Sequence, residues 1–157
     1  MIKILFVCHG NICRSPMGEF VLKDMVRKQG RAAEFEIASA ATSTEEIGNS
    51  VHPGTRAILA KLGISCTGKT ARQMTRVDYE YYDYLIGMDS ANIRNMKRIS
   101  GGDSAGKIYK MLDFTARGGD VADPWYTGNF EQAYSDIFRG CRALLYALLK
   151  FRKSHHC

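Results

Sequence analysis

The apolar run Ile2–Val7 constrains the fold most, because its length and β-branched content are those of a strand buried inside a sheet. A short loop follows, and then come Ser15 and Pro16, which suit the N-cap and the first position of a helix. We therefore expect a strand, a loop and a helix in succession. At such a junction the loop N–H groups and the positive helix end favour a bound phosphate and lower the pKa of a nearby thiol.

The loop itself, Cys8-His9-Gly10-Asn11-Ile12-Cys13-Arg14-Ser15, combines a thiol with a guanidinium. Cys8 directly follows the strand and is placed to act as a thiolate nucleophile, while Arg14 offers a planar fork for two phosphoryl oxygens. Gly10 is expected to supply the positive dihedral angles that such a cradle needs. A cysteine after a strand is more often a small buried hydrophobe, but the flanking strand and helix start favour a phosphate-binding loop.

Strand patterns alternate with helix patterns along the rest of the chain. Strands are predicted at residues 2–7, 35–40, 83–88 and 107–112, and helices at 16–29, 52–63 and 90–98, with a last helix after Asn129. In that helix Asn129 and Gln132 resemble a capping box, and an apolar stripe follows at Ile137, Cys141, Leu144, Leu145 and Leu148. The alternation predicts one α/β domain over residues 1–157, with a parallel sheet, right-handed crossovers and helices on both faces.

Composition limits the functional classes. Hydrophobic residues make up 45% of the chain and charged residues 24%, and no apolar run approaches the length of a membrane span. The net charge of +6 comes from scattered basic residues without a nucleic-acid-binding motif, so phosphorylated acidic partners are favoured over nucleic acid. The odd number of cysteines and the absence of an apolar signal core predict a cytoplasmic protein. Neither the tail His155-His156-Cys157 nor the pair Cys8 and Cys13 has metal-ligand spacing, so no metal is expected.

Two motifs far apart in the chain resemble those of the low-molecular-weight protein tyrosine phosphatases. They are Cys8-x-Gly10-Asn11-Ile12-Cys13-Arg14-Ser15-Pro16 and Asp123-Pro124-Trp125-Tyr126, with shorter matches at Ser39-Ala40, Thr42-Ser43, Ala71-Arg72-Gln73 and Met88-Asp89. The resemblance covers nearly the whole chain. It implies a three-layer α/β fold whose four-stranded parallel sheet has the flavodoxin-like order. It also implies hydrolysis of phosphotyrosine and small aryl phosphates through a cysteinyl-phosphate intermediate, without a cofactor.

The resemblance implies a role for each residue of these motifs. Cys8 is the nucleophile, Arg14 stabilises the phosphoryl oxygens, and Asp123 protonates the leaving group and then acts as base on water. Contacts with phosphate or substrate are expected from His9, Gly10, Asn11, Ile12, Cys13, Ser15, Glu45, Trp125 and Tyr126, and loop support from Ser39. Under peroxide, Cys13 is close enough in sequence to form a disulfide with Cys8. We expect a monomer that acts on phosphotyrosine-containing proteins, with no membrane or nucleic-acid partner.

Three residues depart from the family pattern. Lys69 stands where many members carry a histidine, Ala38 where an aspartate commonly precedes the serine, and Glu45 at a rim position often held by an aromatic residue. The first two changes bear on the network that supports the loop. The third alters the outer wall of the pocket, so the family's peptide preference is not carried over.

Other functions stay open at this point. An arsenate reductase of the same fold would need further cysteines past the middle of the chain, and residues 67–140 contain none. Protein arginine phosphatases with similar loops carry threonine where this chain has Ile12. A non-enzymatic phosphocarrier or phosphate-binding module would not need Arg14 together with Asp123. Turnover of an aryl phosphate separates the enzymatic from the non-enzymatic alternatives.

Overall fold

The structure, a computed structural model, describes the backbone of residues 1–155 and the side chains of residues 1–150. In this part of the chain the strands are β1 (Ile2–Cys8), β2 (Phe35–Ala41), β3 (Tyr84–Gly87) and β4 (Ile108–Lys110). The helices are α1 (Arg14–Lys28), α2 (Pro53–Lys61), α3 (Arg76–Tyr81), α4 (Ser90–Ser100), α5 (Pro124–Thr127) and α6 (Phe130–His155). Short 3-10 turns occupy Ala32–Glu34 and Met111–Phe114.

The four strands run parallel in one sheet with the order β2-β1-β3-β4. β1 pairs with β2 over its whole length, from Ile2 opposite Phe35 to Cys8 opposite Ala41. Helices pack on both faces, so the predicted three-layer α/β fold with flavodoxin-like strand order is confirmed. The chain passes from β1 to β2 on one side and later returns to β3 on the other. The strand order therefore reverses at the carboxyl end of β1, where ligands of such sheets bind.

The continuous apolar run of β1 is explained by burial on both faces of the sheet. Ile4, Phe6 and Cys8 belong to the larger core, which also contains residues of α1 and α6. Leu5 and Val7 belong to a second core on the opposite face, with residues of α3 and α4. A central parallel strand has no solvent face, so its sequence lacks the polar alternation of an exposed strand.

The last helix, α6, packs against the larger core through the predicted apolar stripe. Its buried members are Ile137, Cys141, Leu144, Leu145 and Leu148. The predicted capping box forms only by half. Asn129 accepts the Gln132 N–H at 3.0 Å, but the Gln132 side chain donates to Asp136 at 3.1 Å instead of turning back to the helix start.

Several predicted element boundaries differ from the structure by one or two residues, and two of these differences have a visible cause. α1 begins at Arg14 rather than at Pro16, so Ser15 lies inside the first turn and its hydroxyl bonds to other groups of the preceding loop. β4 is shorter than predicted because the Asp113 carboxylate accepts the Lys110 N–H at 2.8 Å and starts a 3-10 turn. The helices α3 and α5 were not predicted, because segments this short show no helical periodicity.

No helix among the described residues has the length and apolar character needed to cross a membrane. Within the same part of the chain, no group of three or more His, Cys, Asp or Glu side chains could hold a metal ion. The side chains of His155, His156 and Cys157 lie outside the described residues.

Candidate active site

The segment 8–15, which we call the phosphate loop, closes β1, opens α1 and surrounds the thiol of Cys8. The Cys8 Sγ accepts hydrogen bonds from the backbone N–H groups of Asn11 at 3.3 Å and Ser15 at 3.4 Å, and it lies 3.1 Å from the Ser15 hydroxyl. Cys8 is only 3% exposed. A negative charge on this sulfur is therefore stabilised by loop dipoles and a helix N-terminus rather than by bulk water.

Asn11 sets the curvature of the phosphate loop. Its φ is +60°, in the left-handed region that asparagine tolerates better than most residues, whereas Gly10, which we expected to fill this role, has no positive φ. The Asn11 amide donates to the hydroxyls of Ser15 at 2.8 Å and Ser39 at 2.9 Å, and its oxygen accepts the Arg72 N–H at 3.1 Å. These bonds use the whole side-chain amide and offset the cost of the backbone conformation.

A buried carboxylate behind Asn11 fixes the direction of these hydrogen bonds. Ser39 accepts from Asn11, so its own hydrogen goes to Glu19, which is 2.6 Å away. Lys69 donates to the Ser39 carbonyl at 2.9 Å and lies 3.7 Å from the Glu19 carboxylate. Burial lowers the pKa of Lys69, and the Glu19 carboxylate acts against this effect. The lysine thus lies within the loop-supporting network, and Glu19 supplies a carboxylate although β2 carries Ala38 instead of aspartate.

The start of α2 holds two carbonyl groups of the phosphate loop. The Ile12 carbonyl accepts the His52 N–H at 2.9 Å, and the Cys13 carbonyl accepts the Thr55 hydroxyl at 3.1 Å. Because these acceptors are satisfied within the protein, they do not compete with an anion for the loop N–H groups. Burial, reinforced by the nearby Cys8, raises the pKa of Cys13 to about 12. Cys13 is therefore a neutral thiol.

Arg14 is 2% exposed, yet its guanidinium is well paired. Its Nη1 donates to the Asp89 carboxylate at 2.7 Å and to the Val121 carbonyl at 2.8 Å, and its Nη2 lies 3.3 Å from the Asp123 carboxylate. Burial disfavours the charge, but Cys8 and the two carboxylates outweigh burial and raise the pKa of Arg14. The phosphate loop therefore contains a permanently charged fork whose Nη1 edge is already fixed.

Asp123 is the N-cap of α5. Its Oδ1 accepts the Trp125 N–H at 3.0 Å, and Pro124 takes the first helical position, which suits its missing N–H. The Asp123 side chain is 23% exposed, so its carboxylate is partly open to the cavity. The Asp-Pro pair is thus a helix start that brings a carboxylate near the thiol and the guanidinium.

A cavity of about 90 Å³ opens above the phosphate loop. Its lining consists of Cys8, His9, Gly10, Ile12, Cys13, Arg14, Glu45, Glu46, Asp123, Trp125 and Tyr126. All of these except Glu46 are predicted site residues. Asn11, Ser15 and Ser39, which were predicted too, do not line the cavity: the first two are buried residues of the phosphate loop itself, and Ser39 lies on β2. A wider groove between α1 and α6, about 1160 Å³, contains no cysteine in its lining and offers no comparable nucleophile.

The rim of this cavity has an aromatic and a polar part. Trp125 is 56% exposed and Tyr126 is 82% exposed, which is unusual for large apolar rings outside a binding surface. Glu45 lies 2.9 Å from the His9 Nε2. At the rim position that is often aromatic in the family, this chain therefore carries Glu45, whose carboxylate pairs with His9.

Sequence reasoning missed the residues that hold the site from behind, namely Glu19, Thr55, Arg72, Asp89 and the Val121 carbonyl. A signal for Asp89 was available, because it lies between a predicted strand, 83–88, and a predicted helix, 90–98. It is the N-cap of α4, where its Oδ1 accepts the Asn92 N–H at 2.7 Å. Glu19 carries no such local signal, since its partner Ser39 lies on another element.

Comparisons with known proteins agree over nearly the whole chain. A family model described as low molecular weight phosphotyrosine protein phosphatase matches residues 3–154. The low molecular weight protein-tyrosine-phosphatase YfkJ of Bacillus subtilis is 41% identical over 152 residues, which cover 96% of this chain and 97% of YfkJ. The crystal structure of YfkJ superposes with a TM-score of 0.93 and covers 96% of both chains.

Two further solved structures have the same fold. SP-PTP, a low molecular weight protein tyrosine phosphatase from Streptococcus pyogenes, is 42% identical, with a TM-score of 0.87 and 99% of both chains covered. DARP, a drosophila arginine phosphatase, is 26% identical, with a TM-score of 0.86, and the match covers 94% of this chain and 98% of DARP. The match of the family model, supported by these similarities, shows that the chain belongs to the low molecular weight phosphotyrosine protein phosphatase family.

Proposed function

We propose that this protein hydrolyses phosphotyrosine in proteins through a cysteinyl-phosphate intermediate. The observation that carries the proposal is the meeting of a nucleophile, a cation and an acid in one cavity, contributed by Cys8, Arg14 and Asp123. Phosphomonoesters resist hydrolysis because an anion must attack an anion and the alkoxide leaves poorly. A competent site needs these three kinds of group together.

In the first step, the ionised Cys8 sulfur attacks phosphorus and forms the S–P bond while the bond from phosphorus to the tyrosine oxygen breaks. Asp123, in its protonated form, gives its proton to that oxygen, so a neutral tyrosine leaves. The Arg14 guanidinium and the N–H groups of the phosphate loop hold the equatorial oxygens as they flatten. The Asp89 and Val121 contacts support this role, because they fix the guanidinium through Nη1.

In the second step, water attacks phosphorus, the S–P bond breaks and inorganic phosphate is released. The Asp123 carboxylate takes a proton from the water, and the sulfur leaves as an anion. Ser15 supports its departure: the Ser15 oxygen accepts from Asn11, and its single hydrogen can turn from the Ala40 carbonyl at 3.4 Å to the anionic Cys8 sulfur at 3.1 Å. The protein returns to its starting protonation state after one turnover.

The aromatic rim favours an aryl ester as substrate. Trp125 and Tyr126 present exposed rings at the cavity, and Ile12 adds an apolar side chain to its lining. Such surfaces suit the phenyl ring of phosphotyrosine better than the polar, charged guanidinium of phosphoarginine. Glu45 and Glu46 on the same lining are the features that would suit a cationic substrate, so phosphoarginine is the second candidate.

The chemistry also bears on where the protein acts and on which partners. Cys8 must remain a free thiol to attack, which favours a reducing compartment, and we propose the cytoplasm. The partners are phosphotyrosine-containing proteins, which reach the cavity through the exposed rim formed with Trp125 and Tyr126.

The proposal is tested by hydrolysis of p-nitrophenyl phosphate, a phosphotyrosine peptide and the matching phosphoarginine peptide at mildly acidic pH. We expect the aryl esters to be hydrolysed and the phosphotyrosine peptide to be preferred to the phosphoarginine peptide. The control is Cys8→Ser, whose hydroxyl is a far weaker nucleophile and which is expected to be inactive while the fold is kept. A Cys8→Ser protein with wild-type turnover contradicts the mechanism, and a preference for phosphoarginine contradicts the substrate assignment.

A further inference from the structure

His52 lies between the phosphate loop and the turn that carries Asp123. Its backbone N–H donates to the Ile12 carbonyl at 2.9 Å. Its imidazole meets the ring of Trp125 edge to face, with ring centroids 5.7 Å apart and an interplanar angle of 80°. One residue at the start of α2 thus contacts both sides of the active-site cavity.

The imidazole is held by two further contacts. It stacks on Phe130 at a centroid distance of 4.9 Å and an interplanar angle of 21°. Its Nδ1 accepts the Gly54 N–H at 3.0 Å, which caps α2. A Cβ on Gly54 would lie only 2.5 Å from the Phe130 ring, so the first turn of α2 packs directly against that ring. The His52 ring therefore has little freedom to move.

Trp125 depends on this ring more than a core tryptophan would. It is 56% exposed, and among the described residues His52 is the one aromatic side chain whose ring contacts it. The backbone N–H of Trp125 donates to the Asp123 carboxylate, but that hydrogen bond fixes only the backbone of the turn and not the indole. Among the described residues, the T-shaped contact with His52 is therefore the ring contact that can orient the indole at the cavity rim.

We propose that His52 is a positioning residue for substrate specificity: it orients Trp125 so that the rim accepts the aryl ring of the substrate. This inference rests on the aryl-phosphate activity proposed above. Substrate binding then has two parts, because the phosphate loop holds the phosphoryl group and the rim holds the aryl group. The His52 side chain acts on the second part, and only its backbone touches the first.

Two substitutions distinguish the imidazole ring from the cap. His52→Asn keeps a side-chain acceptor for the Gly54 N–H but removes the ring, whereas His52→Phe keeps a ring and removes the acceptor. Both keep the backbone bond to Ile12. Since an aromatic pair is worth a modest free energy, we expect His52→Asn to raise the KM for p-nitrophenyl phosphate about three- to tenfold. We expect His52→Phe to leave this KM within about twofold of the wild type.

Inorganic phosphate as a competitive inhibitor provides the internal control. It has no aryl group, so its inhibition constant is expected to be unchanged in both variants. Because Trp125 is the only tryptophan of the chain, its fluorescence reports directly on the indole and is expected to shift in His52→Asn. In a Trp125→Ala background, His52→Asn is expected to have no further effect on KM.

Several results would overturn the inference. They are an unchanged KM in His52→Asn, an equal rise in His52→Phe, an equally weakened phosphate affinity, or additive effects with Trp125→Ala. If His52→Asn does not fold, Phe130→Leu loosens the imidazole from its other side. Because Phe130 also packs against Ile12 and Cys13 of the phosphate loop, this variant is expected to raise KM while the inhibition constant of phosphate stays unchanged. A wild-type protein that does not hydrolyse p-nitrophenyl phosphate overturns the proposed function and this inference with it, whereas the preceding results overturn the inference alone.

Discussion

Replacing Asp123 by Asn removes a proton donor with little change of shape. The amide oxygen can still accept the Trp125 N–H, which lies 3.0 Å from the Asp123 Oδ1. The weaker contact, 3.3 Å from Oδ2 to Arg14, would be lost, because an amide nitrogen cannot accept from a guanidinium. Arg14 stays in place through Asp89 at 2.7 Å and Val121 at 2.8 Å. The substitution therefore tests proton transfer rather than the architecture of the site.

The size of the effect depends on the leaving group. A tyrosine oxygen, with a pKa of about 10, needs a proton as its bond to phosphorus breaks, and general acid catalysis contributes about 10²- to 10⁴-fold. A dinitrophenolate leaves without help, so the loss of the proton costs it little. Because Asp123 also serves as the base in the second step, which is the same for both esters, the comparison uses kcat/KM, which covers only the steps up to release of the phenol. We expect Asp123→Asn to lower kcat/KM for phosphotyrosine by at least about 100-fold and kcat/KM for dinitrophenyl phosphate by less than about tenfold.

The assay compares both esters on the same preparation of the variant. Asp120→Asn is a matched control, because it removes a nearby carboxylate that pairs with Lys110 at 2.9 Å and does not line the cavity. We expect this control to retain wild-type rates on both esters. Equal losses of kcat/KM on the two esters in Asp123→Asn would mean that Asp123 is a structural cap of α5 and that another group is the acid.

Other substitutions test the remaining groups of the cavity. Arg14→Lys is expected to lose at least about 100-fold in kcat/KM for p-nitrophenyl phosphate, because an ammonium lacks the planar fork; near-wild-type turnover would mean that the anion is held elsewhere. Because burial raises the pKa of Cys13 to about 12, brief treatment with iodoacetamide at neutral pH is expected to alkylate Cys8 and not Cys13, as mass spectrometry of the digested protein can show. Peroxide is expected to inactivate the wild type reversibly and Cys13→Ser irreversibly; the absence of a peptide linking Cys8 and Cys13 after oxidation would contradict this. Ile12→Thr is expected to lower the preference for phosphotyrosine over phosphoarginine peptides, and an unchanged ratio would show that Ile12 does not set it.

The part of the site that follows a simple local pattern was predictable from the sequence. A buried strand, a cysteine, an arginine and a helix start are adjacent in the chain, so the environment of Cys8 follows from short-range geometry. The finer backbone conformation was not predictable. Gly10 was the natural candidate for the positive φ, but the residue that adopts it is Asn11. Three hydrogen bonds of the Asn11 side chain compensate the cost of this backbone conformation. Those partners come from other elements, which a local pattern cannot show.

Ser15 and Glu19 illustrate the same limit. A serine before a proline has the local pattern of an N-cap, yet the Ser15 hydroxyl is bonded within the phosphate loop, so α1 begins one residue before Ser15. Glu19 has the pattern of an ordinary acidic residue near the start of a helix, but it is 4% exposed and accepts from Ser39. The family resemblance pointed to Asp123, whose role no local pattern distinguishes from a turn.

The contacts of Arg14 link activity to the order of folding. Its partners Asp89, Val121 and Asp123 lie 75, 107 and 109 positions further along the chain. Contacts of such sequence separation form late, since the intervening chain must first be ordered. A chain still emerging from the ribosome, or one whose C-terminal half has locally unfolded, contains the thiol but lacks both the acid and the groups that fix the guanidinium. Turnover is thus expected to return only with the last cooperative step of refolding, after secondary structure has formed.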